Sequence, residues 1–197
     1  WYGSFSGVKT VSESDLAAIQ IGGNVTYRPG TRMINIQSDP KVYTVAPGGI
    51  LRPIASESVA ASLYGSTWNR QIDDLSDAFF VNYNVGSSVN AASNFDMTTM
   101  MGASPNINTD KMLVAMPAGY IRVHQNTNFA NNATMNLSPN SKIIWIATDT
   151  SMPSVKVTPP SNVTVTSDMQ SATLGMGEAY AFTFPQSGAW TYTNANV

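Results

Sequence analysis

The chain has 197 residues and a formal net charge of −2; 43% of its residues are hydrophobic and only 11% are charged. That apolar content supports packed cores and excludes global disorder, and the length suits one large domain or two small ones. The ten Lys and Arg are scattered singly, so no basic patch exists to meet a phosphate backbone; cysteine is absent, which excludes disulfides, thiolate metal sites and cysteine nucleophiles.

Asn, Ser, Thr and Gly take the place of charges, a hydrated but weakly repulsive composition that suits packing against copies of the same chain. No apolar run approaches the about 18 residues of a membrane span. The first residue is Trp1 rather than Met, so the start is expected to be processed or not included.

In chain order, residues 1–86 carry an internal similarity. Trp1-Tyr2-Gly3-Ser4 returns as Leu63-Tyr64-Gly65-Ser66, the stretch Val11 to Ala18 is answered by Ile72 to Phe79, and Ile21-Gly22 by Val85-Gly86. Each copy predicts a short helix opened by a polar cap, Ser12 or Ser14 in the first and Asp73 or Asp74 in the second. Between them the pattern predicts β structure. Residues 23–30 read as a strand into a turn, Met33-Ile34-Asn35-Ile36 alternates, and Asp39-Pro40 turns. Residues 41–45 read as a strand, and Pro47-Gly48-Gly49 is a tight turn before residues 50–54. Residues 56–63 predict a helix with Ser56 as N-cap and Val59, Ala60 and Leu63 on one face. The unit is thus a β-hairpin followed by short helices, an α+β repeat module, and the first copy lacks its hairpin.

Residues 87–111 read as a linker of small polar residues containing a methionine cluster, Met97, Met100 and Met101. Without His or Cys beside them these thioethers read as packing rather than as Cu(I) ligands. From residue 112 to 197 the texture is all-β. Strands are expected at 118–124, 133–137, 142–147, 154–157, 162–166, 179–184 and 189–193, with turn signals at the spacing of a Greek-key sandwich.

Two resemblances follow from quoted stretches. "GGNVTYRPGTRM", "DPKVYTVAPGGILRPIASESVAASLYGS" and "DDLSDAFFVNYNVG" resemble a module of exported, S-layer-like surface proteins of uncultured small-genome bacteria. That resemblance implies secretion and an architectural role, and carries no catalytic residues. "NFANNATMNLSPNSKIIWIATDTSMPSVKV" and "GMGEAYAFTFPQSGAWTYTNANV" resemble the cupredoxin pattern over residues 118–197. The cupredoxin resemblance implies a β-sandwich in which the first copper histidine falls near Ser154, the cysteine at Asn194 and the second histidine near Val197. A type 1 copper site needs two imidazoles and a thiolate, so none of these replacements can serve. The single histidine, His124, reads as an edge-strand or surface residue.

Other chemistry is thin. Asp73-Asp74 reads as helix capping rather than a catalytic pair. No nucleophile elbow accompanies the histidine, and Gly22-Gly23 and Gly48-Gly49 are turns rather than a phosphate loop. The Trp residues and Phe79-Phe80 read as core and repeat-interface anchors. No catalytic, cofactor-binding or metal-binding residue is assigned, and no cofactor. Both ends read as cut within a unit, with the last sandwich strand missing; either the sequence is a piece of a longer surface protein or neighbouring subunits exchange strands. The expected function is that of a non-enzymatic, exported cell-surface structural protein, a segment of an S-layer, filament or adhesin. Its partners would be copies of itself or other surface proteins. The alternative is a glycan- or protein-binding surface module on a degenerate cupredoxin scaffold.

Overall fold

The computed structural model describes residues 1–20, 22–114, 116–123, 134–165 and 169–196. It is a mixed α/β fold dominated by sheets, with few and short helices; among the described residues there are three sheets, and none of them closes on itself.

The first sheet is built on a meander. Strands β1 (Met33–Ile36), β2 (Asp39–Ala46) and β3 (Ile50–Pro53) run antiparallel. β4 (Ile72–Leu75) adds in parallel to β1, and β5 (Asn84–Val85) in parallel to β3, giving the order β4-β1-β2-β3-β5. The Pro47-Gly48-Gly49 turn forms as expected; Gly48 and Gly49 have φ of 80° and 70°, which side chains rarely tolerate. Helix α1 (Glu13–Ala17) is opened by Ser12, whose side chain accepts from the Asp15 N–H. Helix α2 (Glu57–Tyr64) is opened by Ser56, whose hydroxyl accepts from the Val59 N–H, and buries Val59, Ala60 and Tyr64.

Four expectations are corrected in this half and one in the next. Residues 23–28 form no strand: the Tyr83 hydroxyl accepts from the Tyr27 N–H at 3.0 Å and the Trp1 indole donates to the Thr26 carbonyl at 2.7 Å, so side chains satisfy groups a ladder would have used. Asp39-Pro40 is not the turn. The turn is Gln37-Ser38, and Pro40 lies where the β1–β2 register shifts, a bulge in which its missing N–H loses no ladder bond. Asp73 and Asp74 cap no helix. Residues 72–75 are pulled into β4 by the free edge of β1, and helix α3 (Asp77–Phe80) starts after Ser76. Phe79 is half exposed, whereas Phe80 packs on Tyr43 with ring centroids 6.3 Å apart. Residues 162–165 form no strand, although Val163 is buried in the core.

Residues 87–111 carry α4 (Met97–Ala103), opened by Asp96, and α5 (Ile107–Asp110), opened by Asn106. Met100 and Phe95 enter a core cluster with Ala46, Ile50 and Val59, against which Met176 and Ala179 also pack. Ala103 lies against Ile144 and Ile146.

The second half holds two three-stranded sheets. β6 (Tyr120–Val123), β8 (Lys142–Ala147) and β10 (Ala179–Thr183) form one, ordered β10-β8-β6, with β6 parallel to β8. β7 (Thr134–Leu137), β9 (Val155–Thr158) and β11 (Gly188–Asn194) form the other, ordered β7-β11-β9 and antiparallel throughout. Side-chain alternation explains the layering. Ile143, Trp145 and Ala147 of β8 enter the cluster shared with Val155, Val157, Trp190 and Tyr192 of the facing sheet, while Ile144 and Ile146 turn outward to Ala103. Two opposed sheets over one core are compatible with a β-sandwich. Aromatic edges fill it: Phe184 meets Trp190 at 5.0 Å and Trp145 meets Tyr192 at 5.6 Å between centroids. β11 is central in its sheet, with neighbours on both sides.

Under α2, the Tyr64 and Thr44 hydroxyls share a buried hydrogen bond of 2.6 Å, and burial pushes the Tyr64 phenol up to about 12. A folded-state value above the ordinary one near 10 means that this group's stabilisation is complete below about pH 10 and is lost as pH rises toward 12, by roughly 2–3 kcal/mol in all. Tyr64→Phe is therefore expected to remove part of the alkaline loss in urea titrations at pH 9 to 12. At neutral pH it costs about 1–3 kcal/mol, because the Thr44 hydroxyl stays buried without a partner.

Candidate functional site

Two of the positions that the cupredoxin resemblance sets at a metal centre, Ser154 and Asn194, are brought together at one end of the two opposed sheets. On β11 the inward face reads Trp190, Tyr192, Asn194, so alternation alone turns the Asn194 carboxamide into the interior, where it is 2% exposed. The antiparallel register sets Asn194 opposite Val155, which places Ser154 beside it. On the other side of β9, residues 169–171 run along its backbone: the Val157 N–H donates to the Met169 carbonyl at 2.7 Å and the Ser171 N–H to the Val155 carbonyl at 2.8 Å. Ser154, Ser171 and Asn194 thus form a buried polar cluster in an apolar core.

Most of its hydrogen bonds run to backbone groups. Asn194 Oδ1 accepts from the N–H groups of Ser154 and Asn196, both at 3.1 Å. Ser154 Oγ donates to the Ser171 carbonyl at 2.9 Å and accepts from Gln170 Nε2 at 3.4 Å. Ser171 Oγ accepts from the Val155 N–H at 2.8 Å, and the Ala195 N–H donates to the Ser154 carbonyl at 2.7 Å. These side chains act as extra backbone partners where two strands run out of ladder.

The donor set does not fit a blue-copper ion. A carboxamide and two hydroxyls are hard, neutral donors, and Cu(I)/Cu(II) exchange requires imidazole and thiolate. The Ser154 hydroxyl proton is given to a carbonyl, and among the described residues no side chain bonded to it is a base, so no activated nucleophile is formed among them. His124 and Val197 lie outside the described residues. Among the described residues no group of three or more His, Cys, Asp and Glu could hold a metal ion. Met100 is packed in the core, with Met97 partly buried against the same cluster. Asp73 is engaged by both Arg32 nitrogens, Nε and Nη2, each at 2.6 Å, a bond that holds its carboxyl below the usual range.

Two buried charges escape the sequence reading. Arg52 is fully buried and donates to the carbonyls of Ser87, Ser88, Asn94 and Gly177 and to Glu178 Oε1. Burial pulls its guanidinium below the ordinary value, and Glu178 opposes that shift. Asp110 accepts from the Gly48 N–H at 2.9 Å and from the hydroxyls of Ser104 and Thr26 at 3.0 and 3.3 Å, fixing the β2–β3 turn against α5. In sequence Arg52 is a lone charge and Asp110 stands beside Lys111, with nothing to mark the burial of either.

No family model matches the chain, and neither a curated protein nor a solved structure matches it significantly. No helix among the described residues is long and apolar enough to cross a membrane.

Proposed function

We propose that the chain is a non-enzymatic, exported cell-surface structural protein, a segment of an S-layer, a filament or an adhesin. In this reading an α+β repeat module, residues 1–86, joins a Greek-key, cupredoxin-like sandwich, residues 112–197, through residues 87–111. The observation that carries it is the Ser154–Ser171–Asn194 cluster. Where the resemblance puts a metal, the side chains are spent on holding strand ends together, which is a structural use of the position. The sparse charge supports the same reading, since copies repel one another weakly.

A second reading, a glycan-binding module, is favoured by a cleft of about 330 Å³ lined by Trp1, Tyr27, Arg28 and Arg32. Its aromatic walls suit a sugar face. Arg32 is committed to Asp73, whereas Arg28 Nε has no hydrogen-bond partner among the described residues.

Labelling intact producing cells with a membrane-impermeant amine reagent tests the structural reading. The chain is expected among the labelled proteins, and recovery of label only after lysis rejects it.

A further inference from the structure

We infer that the loop at residues 174–178 is a latch that locks the second half of the chain onto the first. The hairpin sheet and the two opposed sheets then form one body with a fixed angle between them, and they open together. The inference is independent of the cell-surface reading.

A short polar connection between two domains ordinarily leaves them free to move, because few contacts cross it. Here the crossing contacts are specific. The loop is anchored in the second half: the Gly177 N–H donates to the Ala147 carbonyl at 2.8 Å, the Ala147 N–H to the Glu178 carbonyl at 2.9 Å, and the Gly175 N–H to Glu178 Oε2 at 2.9 Å. Its other side meets the first half. The Met176 carbonyl accepts from the Ser87 N–H at 3.1 Å and from the Ser87 hydroxyl at 3.3 Å. Arg52, buried in β3, donates to the Gly177 carbonyl and to Glu178 Oε1, both at 3.3 Å. Met176 and Ala179 add apolar packing against the cluster of Ile50, Val89 and Phe95.

Glycines show how closely the halves approach. A Cβ on Gly86 would run into the Met176 carbonyl oxygen and stand 2.7 Å from Ile50 Cγ2. The φ of Gly86 lies outside the left-handed region, so only its neighbours bar a side chain there. A Cβ on Gly175 would stand 2.9 Å from Ser87 Cβ. A second attachment lies at the opposite edge of the β10-β8-β6 sheet. There a Cβ on Gly102 of α4 would collide with the Tyr120 hydroxyl of β6, and Arg122 Nη2 donates to the Thr109 carbonyl of α5. Attachments at both edges, with Ala103 against Ile144 and Ile146 between them, oppose rotation of one half on the other.

Native-state hydrogen exchange of the full chain, followed by mass spectrometry as urea is raised, tests this. The slowest amides of β2 and of β8 are expected to merge into one opening with a common protection factor. Gly86→Ala lies in the first half, yet it is expected to lower protection in both strands by the same factor, about tenfold or more, as overpacking does. Two separate openings in the wild type overturn the inference. So does a Gly86→Ala chain that loses protection in β2 alone, or in neither strand. If Gly86→Ala does not fold, Asn194→Leu carries the same test from the second half: it should lower β2 and β8 by one factor, and any other result overturns the proposal. Cell-surface labelling does not depend on this joint, so the structural reading and the latch fail separately.

Discussion

Arg52→Ala is expected to lower the unfolding free energy by roughly 3–5 kcal/mol, the range for breaking a buried charge network from one side. The side chain is fully buried, and its fork reaches five oxygens on three separate stretches of chain: Ser87 and Ser88, Asn94, and the 177–178 pair. Truncation leaves those carbonyls short of a donor and opens a cavity beside Phe95, over whose ring the guanidinium carbon stands at 5.9 Å. Most of the loss comes from the carbonyls rather than the ion pair. Glu178 is partly exposed, its contact is 3.3 Å, and its second oxygen still accepts from the Gly175 N–H. Glu178→Gln is therefore expected to cost about 1 kcal/mol or less. Arg52→Lys should recover less than half of the alanine loss, since one ammonium cannot reach carbonyls laid out for a planar fork. Urea unfolding of the three variants checks the order. If Glu178→Gln proved as damaging as Arg52→Ala, the ion pair would dominate and the reasoning would fail.

Arg52 also shows why part of this molecule could not be read from its sequence. Within Ile50-Leu51-Arg52-Pro53 an arginine reads as the solvent side of a strand; its burial depends on Gly177 and Glu178, more than a hundred residues away. Residues 72–75 fail for a related reason. Ile-Asp-Asp-Leu has the look of a helix start, and only the vacant edge of β1 makes it a strand. Asp39-Pro40 carries a turn signature, yet a bulge absorbs it. Where local pattern and burial agree, the reading was sound. Ile143–Ala147 is a continuous apolar run because that part of β8 is covered on both faces, and Ser56 caps α2 because a hydroxyl there meets a free N–H. At the candidate site the positions of Ser154 and Asn194 came only from the cupredoxin resemblance; alternation along β11, with Trp190, Tyr192 and Asn194 on one face, is why Asn194 turns inward. What the sequence could not supply was the third member of the cluster, Ser171, which arrives on an irregular segment with no pattern of its own.

Asn194→Leu is expected to destabilise the chain by roughly 2–4 kcal/mol, although leucine is close to asparagine in size and the site faces a hydrophobic core. The carboxamide oxygen accepts from two N–H groups, those of Ser154 and Asn196. An apolar side chain leaves both without that acceptor, at about 1–3 kcal/mol for the buried Ser154 donor and less for the part-buried Asn196 one, while the strain of fitting a branched leucine among strand ends offsets what its burial gains. Asn194→Asp offers the same oxygen geometry with a charge. At neutral pH it should cost as much or more, because a carboxylate 2% exposed among Trp190, Tyr192 and Val155 is poorly solvated. Desolvation raises such a carboxyl above the ordinary aspartate value, so stability should recover as pH falls through the raised value and the group becomes neutral. The wild type, with a neutral amide, should show no such recovery. Thermal melts of wild type, Asn194→Leu and Asn194→Asp between pH 4 and 8 separate the possibilities. If leucine were tolerated without loss, the cluster would not be holding the strand ends, and the structural account of this position would fall.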